Sequence, residues 1–171
     1  SRNLLEILDA KKDLKPSEFK KRYPEEKCDK SGFYICVDMR EKAMFKIFDK
    51  YIKSKSSLVT DIPICVKTLT YGDYAIMYKG KIIAIIERKT WKDLAASIKD
   101  GRKYNIEKLK KIQRDSNCKL FYLIEGPSRS YNSKSGGIPI KSLLSHLDHL
   151  TYRDGVFVMR TANKASTVQR L

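Results

Sequence analysis

Three ionisable residues with the spacing of a metal-dependent active site lie between positions 73 and 89. Glu87 and Lys89 follow an apolar run, and Asp73 lies fourteen positions before Glu87. Alternation along a strand puts Glu87 and Lys89 on one face and Arg88 on the other. Lys79-Gly80 is a turn signal midway between Asp73 and Glu87, so a hairpin would bring the two carboxylates together. The sequence therefore predicts two carboxylates and a lysine in one cluster.

Such a cluster suits metal-assisted hydrolysis of a phosphodiester. Two carboxylates hold Mg²⁺ or Mn²⁺ while the ion keeps several waters and accepts a phosphate oxygen as a further ligand. The ion makes a bound water more nucleophilic, and a lysine on the same face orients that water and neutralises developing charge. Asp…Glu-x-Lys is the minimal set of the PD-(D/E)xK nucleases, although Glu-x-Lys also arises by chance in a Lys-rich chain.

Further motifs surround this cluster in a fixed order. The list is Val37–Glu41 (VDMRE), Gly72-Asp73-Tyr74, Glu87-Arg88-Lys89 with Asp93, Asp93–Arg102 (DLAASIKDGR), Leu123–Glu125 (LIE) and residues 154–171. Together they resemble the XPF family of structure-specific DNA endonucleases, whose signature is GDx(n)ERKx(3)D, and the last segment is similar to the GFxVxRT segment of its Mus-type branch. The resemblance covers about residues 33–171, and so many ordered motifs rarely coincide by chance.

The resemblance implies roles for individual residues. Asp73 and Glu87 would bind the metal, with Asp38 completing the cluster or holding a metal-bound water, and Lys89 would be catalytic. Arg88 would clamp a phosphate from the rim, or pair with Asp38 or Asp93. The implied catalytic set is Asp73, Glu87, Arg88, Lys89 and Asp93, and the implied DNA contacts are Arg40, Arg88, Arg102 and Lys103.

The implied activity is a Mg²⁺- or Mn²⁺-dependent endodeoxyribonuclease that cuts flapped, forked or branched DNA during repair or recombination and leaves a 3′-hydroxyl. The family resemblance also implies a homodimer, or a heterodimer with a related chain, with residues after about 140 in the interface. The alternative is a non-catalytic DNA-binding partner of such a dimer, although inactive partners typically lose the acidic set that this chain retains. A third reading is a scaffold that binds DNA through charge alone.

Composition supports a polyanionic partner. The 171 residues include 36 Lys+Arg and 20 Asp+Glu, giving a net charge of +16 and a sequence pI near 9.7. Basic proteins bind nucleic acid by displacing its condensed counterions. No membrane-spanning run, signal peptide or Cys-x-x-Cys pair is apparent, and three of the four cysteines lie in apolar surroundings. We therefore expect a soluble intracellular protein, in the nucleus or, if viral, at a cytoplasmic site of DNA replication.

Alternating strand and helix patterns predict an α/β domain, and the resemblance specifies a restriction-endonuclease-like, PD-(D/E)xK mixed central sheet flanked by helices. The predicted strands are 33–39, 62–69, 119–126 and 155–161, with a hairpin over 71–89, and helices lie between them. Residues 1–30 read as a peripheral helical and basic extension, and residues 31–171 as the nuclease domain. The polar stretch 127–137 is predicted to be a mobile loop.

Several of these residues also have purely structural interpretations. Asp93 lies three positions after Thr90, a capping-box spacing, so it could cap a helix as well as act near the metal. Trp91 is either a core anchor or a surface on which a DNA base stacks. Glu125 would more readily form a salt bridge or helix cap than join the acidic cluster. His146 and His149 have a metal-pair spacing, but they are better explained by a helix that packs through its leucines.

Overall fold

The apolar segments form one six-stranded sheet in the computed structural model of the chain, which describes residues 15–53, 62–101 and 103–171. Its strands run in the order β2-β1-β3-β4-β5-β8. Their bounds are β1 Phe33–Asp38, β2 Ile64–Lys67, β3 Tyr74–Tyr78, β4 Lys81–Thr90, β5 Lys119–Glu125 and β8 Phe157–Thr161. The predicted strands are confirmed, with trimmed ends.

The sheet is mixed because only β3 runs against its neighbours. Strand β3 pairs antiparallel with both β1 and β4, whereas β2 pairs parallel with β1, β5 with β4, and β8 with β5. Lys79 and Gly80 connect β3 to β4 with φ values of 48° and 80°, which is the left-handed backbone that a two-residue hairpin requires. The predicted hairpin turn is confirmed.

Helices cover both faces of the sheet. They are α1 Pro16–Arg22, α2 Lys42–Lys53, α3 Trp91–Lys99, α4 Lys103–Ser116, α5 Ile140–Asp154 and α6 Lys164–Arg170. Buried residues of α3 and α5, with Leu109 of α4, pack on one face of the sheet. Buried residues of α1, α2 and α6 pack on the other. The mixed sheet flanked by helices confirms the predicted fold class. No described helix has the length and apolarity to cross a bilayer.

The segment 15–28 is not peripheral, contrary to expectation. Phe19 of α1 is fully buried and stacks on Phe45 of α2 with 4.4 Å between the ring centroids. Tyr23 donates a 3.0 Å hydrogen bond to Asp49, which also accepts one of 2.7 Å from Arg22. This segment therefore contributes to the domain core, because its aromatic side chains fill the space beside α2. The first fourteen residues of the predicted extension lie outside the described residues.

The polar stretch after β5 is also more ordered than predicted. Residues Lys134–Ser135 (β6) and Ile138–Pro139 (β7) pair as a short antiparallel ribbon that packs against α3. Gly136 has φ of 54°, and a Cβ there would lie 2.8 Å from Cβ of Ala95. The small residues of this stretch therefore permit close packing on α3, which composition alone does not distinguish from mobility.

The predicted core thiols are buried. Cys36, Cys65 and Cys118 are at most 3% exposed, and all four cysteines are free thiols. Sγ of Cys36 lies 3.3 Å from Sγ of Cys65, its register partner on the neighbouring parallel strand.

Candidate active site

The two faces of β4 carry different charged side chains. Lys89 points towards α3, where its Nζ donates a 3.1 Å hydrogen bond to Oγ of Ser97. Arg88 points to the opposite face, where its guanidinium pairs with the carboxylates of Glu41 at 2.8 Å and Glu125 at 3.0 Å. The alternation predicted for this strand is present, so the side chains of the Glu-Arg-Lys motif lie in two different environments.

Asp73 lies opposite Glu87 at the end of the hairpin ladder. The ladder pairs Tyr74 with Ile86, and one position further the Asp73 amide donates to the Ile86 carbonyl at 2.9 Å. Oδ2 of Asp73 accepts a 2.8 Å hydrogen bond from the Arg88 amide. Burial, then the negative charges of Glu87 and Glu41, raise the pKa of Asp73 to about 7. The two carboxylates are therefore close enough to repel each other, as the predicted hairpin requires.

Gly72 fixes the chain immediately before Asp73. Its φ is 74°, and an added Cβ would lie 2.5 Å from Cγ2 of Ile85 and 3.3 Å from the Ile86 carbonyl oxygen. A side chain here would carry the cost of left-handed backbone and would also push β3 away from β4. The glycine therefore allows the close strand approach that brings Asp73 to β4.

Replacing Gly72 with alanine is expected to lower the free energy of unfolding by about 1–3 kcal/mol, measured by urea denaturation. The matched control is Gly80→Ala, because Gly80 has a similar φ of 80° but no atom within 4 Å of an added Cβ. The control therefore carries the backbone cost alone, about 1 kcal/mol. Equal losses in the two variants would show that the contact with Ile85 is unimportant.

Asp38 is engaged differently from Asp73. It is fully buried at the end of β1, and its Oδ2 accepts a 2.7 Å hydrogen bond from Nε of Arg40. Its Oδ1 lies 3.5 Å from the amides of Arg40 and Leu69. The Asp38 carboxylate, with smaller contributions from Asp73 and Glu87, raises the pKa of Arg40. Asp38, predicted as a third metal carboxylate, therefore also anchors an arginine beside the site, and its role towards a metal stays a prediction.

The chemistry of the donor set fits a divalent cation held by two carboxylates. Five acidic and three basic side chains surround the site, which gives a formal excess of two negative charges: Asp38, Glu41, Asp73, Glu87 and Glu125 against Arg40, Arg88 and Lys89. Among the described residues, no three Asp, Glu, His or Cys side chains converge as a metal cage. A site with few protein ligands suits Mg²⁺, which retains waters and binds substrate phosphate.

Lys89 is held by neighbours that the sequence analysis did not assign to the site. The lysine is 9% exposed, and its Nζ lies 5.9 Å from the ring centroid of Tyr122. Ser97 donates its own hydroxyl proton to the Asp93 carbonyl at 2.9 Å, which leaves its oxygen to accept from the Lys89 ammonium. The only sequence signal for Ser97 was its place in the DLAASI motif.

Asp93 and Thr90 form the predicted capping box at the start of α3. Oγ1 of Thr90 accepts from the Asp93 amide at 3.1 Å, and the Asp93 carboxylate accepts from the Thr90 amide at 3.2 Å. Trp91 is 3% exposed and lies within the core, so it is the anchor and not a surface on which a base could stack. The start of α3 is therefore fixed by the residues that directly follow the Glu-Arg-Lys motif.

Arg88 belongs to a buried network instead of the rim. Its partners are Glu41 and Glu125, so the predicted pairing with Asp38 or Asp93 is wrong. Glu41 also accepts a 2.6 Å hydrogen bond from the Tyr74 hydroxyl, and Oε2 of Glu125 accepts one of 2.6 Å from Thr167. Burial opposes the charged guanidinium, but the carboxylates of Glu125 and Glu41 hold the pKa of Arg88 above its usual value. The salt bridge expected of Glu125 is confirmed.

Of the remaining predicted DNA contacts, Arg40 is the one whose side chain the structure describes. The Arg40 side chain is 69% exposed beside the acidic cluster. Arg102 and the side chain of Lys103 lie outside the described residues. His146 and His149 line one shallow groove with Lys141, where the described residues form no metal-binding group.

Comparison with known proteins identifies the family. The ERCC4 domain matches residues 37–171, which is most of the chain and includes every element of the site just described. The chain belongs to the ERCC4 domain family. This is the family of XPF-like, structure-specific DNA nucleases, so the family resemblance read from the motifs is confirmed at that level.

Curated ERCC4 domain proteins of a virus are among the relatives. The ERCC4 domain-containing protein EP364R of a Kenyan isolate of African swine fever virus is 33% identical over 144 residues, covering 81% of this chain and 39% of the relative. The same protein of the Badajoz strain is 40% identical over 108 residues, covering 62% of this chain and 30% of the relative. The chain thus spans less than half the length of these relatives.

Solved structures share the fold of this ERCC4 domain. XPF from Aeropyrum pernix aligns with a TM-score of 0.56 and 23% identity, covering 80% of this chain and 60% of that one. XPF from the same organism in complex with DNA aligns with a TM-score of 0.54. At this identity the likeness establishes the restriction-endonuclease-like fold.

Proposed function

We propose that this ERCC4 domain is the nuclease domain of a Mus-type enzyme that hydrolyses phosphodiesters in flapped, forked or branched DNA with Mg²⁺ or Mn²⁺. The observation that carries the proposal is the pairing of Asp73 with Glu87 across β3 and β4, beside a buried Lys89. The charge of +16 and the DNA complex of the archaeal XPF support DNA as the partner.

In this proposal Asp73 and Glu87 hold the ion, and Asp38 completes the cluster or holds a metal-bound water. When bound, the ion would polarise a phosphate oxygen and make a bound water more nucleophilic. Lys89 orients the attacking water and neutralises charge that develops on the phosphate. Its rotamer is set by Ser97, and Asp93 acts on it indirectly, through the helix cap and the carbonyl that Ser97 contacts.

The arginines divide into two groups under the same proposal. Arg88 positions β4 through Glu41 and Glu125, because a guanidinium with two buried carboxylate partners is not directed to a DNA phosphate. Arg40 is a phosphate contact, held in place by Asp38 but still largely exposed. Arg102 and Lys103 remain proposed DNA contacts from their motif position alone.

The assembly and setting are proposed from the resemblance and the relatives. The nuclease domain comprises residues 31–171 together with the segment 15–28 that packs against it, and residues after about 140 lie in a homodimer or heterodimer interface. The viral relatives favour a role in viral DNA repair or recombination, at a cytoplasmic site of viral DNA replication or in the nucleus.

The test is cleavage of a panel of labelled DNAs: 3′-flap, fork, nicked duplex, Holliday junction and linear duplex, each with Mg²⁺, Mn²⁺ or EDTA. We expect cuts in branched DNA that require metal, and little cleavage of linear duplex. If binding is strong but nothing is cut, even with candidate partner chains added, the chain is the non-catalytic partner instead. Binding that is indifferent to branching and to metal would indicate a charge-based scaffold.

A further inference from the structure

Arg160 is an exposed arginine on the same sheet face as Lys89. The register aligns Lys89 of β4 with Ile124 of β5, and Ile124 with Arg160 of β8. Because all three strands are parallel, the three residues form one row across the sheet, and the outer two are separated by roughly 10 Å at the usual strand spacing. Arg160 therefore lies at the sheet edge where the proposed active site is built.

The guanidinium of Arg160 is held by an aromatic ring. Its Cζ lies 4.9 Å from the ring centroid of Trp91, the first residue of α3. Trp91 is itself 3% exposed, so its position is fixed by the core. A cation held over an indole face loses little further freedom when it binds an anion. Among the described residues, no carboxylate pairs with Arg160, which leaves its N–H donors for a ligand.

The choice of tryptophan at position 91 supports a role for its ring face. The indole Nε1 is buried and has no hydrogen-bond partner among the described residues. A buried donor without an acceptor costs stability, a cost that phenylalanine at this position would not carry. Tryptophan, however, provides the strongest cation–π face of the aromatic residues. A tryptophan at this position is therefore explained if its ring holds Arg160 in place.

We propose that Arg160, held on Trp91, is a second backbone-phosphate subsite, which contacts a phosphate next to the one cut at the Asp73–Glu87 site. This rests on the proposed function. Arginine offers planar, paired donors that match phosphate oxygens. A strand lying along the C-terminal edge of β4, β5 and β8 would pass Lys89 and then the start of α3 before reaching Arg160. The subsite would fix the register of the strand and carry no base specificity.

The test is binding of a labelled 3′-flap DNA in EDTA, at several salt concentrations, to the parent chain and to Arg160→Ala. We expect about tenfold weaker binding near 0.1 M salt and a salt slope smaller by about 1. The matched control is Arg153→Ala, which removes the same charge from an exposed arginine in the last turn of α5, before the N-terminal end of β8. Equal losses in both variants would overturn the subsite, because they would reflect net charge alone.

A second measurement identifies the phosphate. Single neutral methylphosphonates are placed along the flap strand, one position at a time. At one position the substitution should weaken DNA binding by the parent chain about tenfold. It should leave DNA binding by Arg160→Ala unchanged, since that variant has already lost the contact. If the losses of DNA affinity caused by the methylphosphonate and by Arg160→Ala add fully at every position, the proposal is overturned.

Trp91→Phe tests the supporting ring. It removes the unpaired donor but also part of the buried ring, so the change in stability should be small, while DNA binding weakens towards that of Arg160→Ala. Full binding by this variant would show that the ring does not hold the arginine for DNA. These readouts are made without cleavage, so failure of the nuclease activity and failure of the subsite give different results.

Discussion

Replacing Asp73 with asparagine, or Glu87 with glutamine, is expected to reduce metal-dependent DNA cleavage by about a thousandfold or more. Each change removes one of two proposed carboxylate ligands, and metal stabilisation of a phosphoryl transition state is worth several kcal/mol. Binding of 3′-flap DNA should persist, because the amides remove negative charge from the acidic cluster and so reduce its repulsion of DNA phosphates. The measurement is the single-turnover cleavage rate with Mg²⁺, alongside affinity in EDTA.

Stability separates lost chemistry from lost folding in these variants. Burial, with repulsion from Glu87 and Glu41, raises the pKa of Asp73 to about 7. At pH 8 without metal the carboxylate is therefore mostly ionised, and its charge lowers the stability of the folded state. Asparagine has no such cost, and the melting temperature of Asp73→Asn in EDTA should equal or exceed that of the parent. Asp115→Asn is the control for the same chemical change on the exposed surface of α4. An Asp73→Asn chain that cuts at the parental rate would refute the ligand assignment.

Replacing Arg88 with methionine is expected to lower the free energy of unfolding by about 3–5 kcal/mol. Methionine fills a similar volume, but Glu41 and Glu125 would be left as buried carboxylates without a cation, and uncompensated buried charges are costly. The measurement is urea denaturation, with DNA affinity determined on the folded fraction.

A triple variant supplies the control for Arg88. Adding Glu41→Gln and Glu125→Gln to Arg88→Met removes the orphaned charges, so most of the lost stability should return. If Arg88→Met instead left stability unchanged and weakened DNA binding, the arginine would be a phosphate contact, as the family motif first suggested.

Strand alternation and turn chemistry made much of the site predictable. A period of two along residues 82–89 is enough to separate Arg88 from Lys89, and Lys79-Gly80 demands a tight hairpin that returns Asp73 to β4. The capping box of Thr90 and Asp93 is likewise a local pattern, since all of its atoms lie within one helical turn. These features depend on neighbours in the sequence, so they could be inferred before the fold was known.

Residues that converge from distant strands were not predictable in the same way. Glu41 and Glu125 are 47 and 37 positions away from Arg88 in the sequence. Their pairing with Arg88 depends on how α2 and β5 pack around β4. Asp38 also pairs with Arg40, a contact that the sequence analysis did not anticipate, and its role as a metal ligand stays a prediction. Likewise, Phe19 belonged to a stretch that composition marked as peripheral, yet it fills the core beside α2.

The sequence by itself determined the sheet-and-helix order, the hairpin and the separation of Arg88 from Lys89, because periodicity, turns and spacing are properties of contiguous residues. Only the tertiary structure decided which charges are neutralised. It directs Arg88 into a buried ion-pair network, assigns Asp38 to Arg40, and places Arg160 on Trp91 in the row of Lys89. Those outcomes depend on side chains brought together by parallel strands whose register no local pattern specifies.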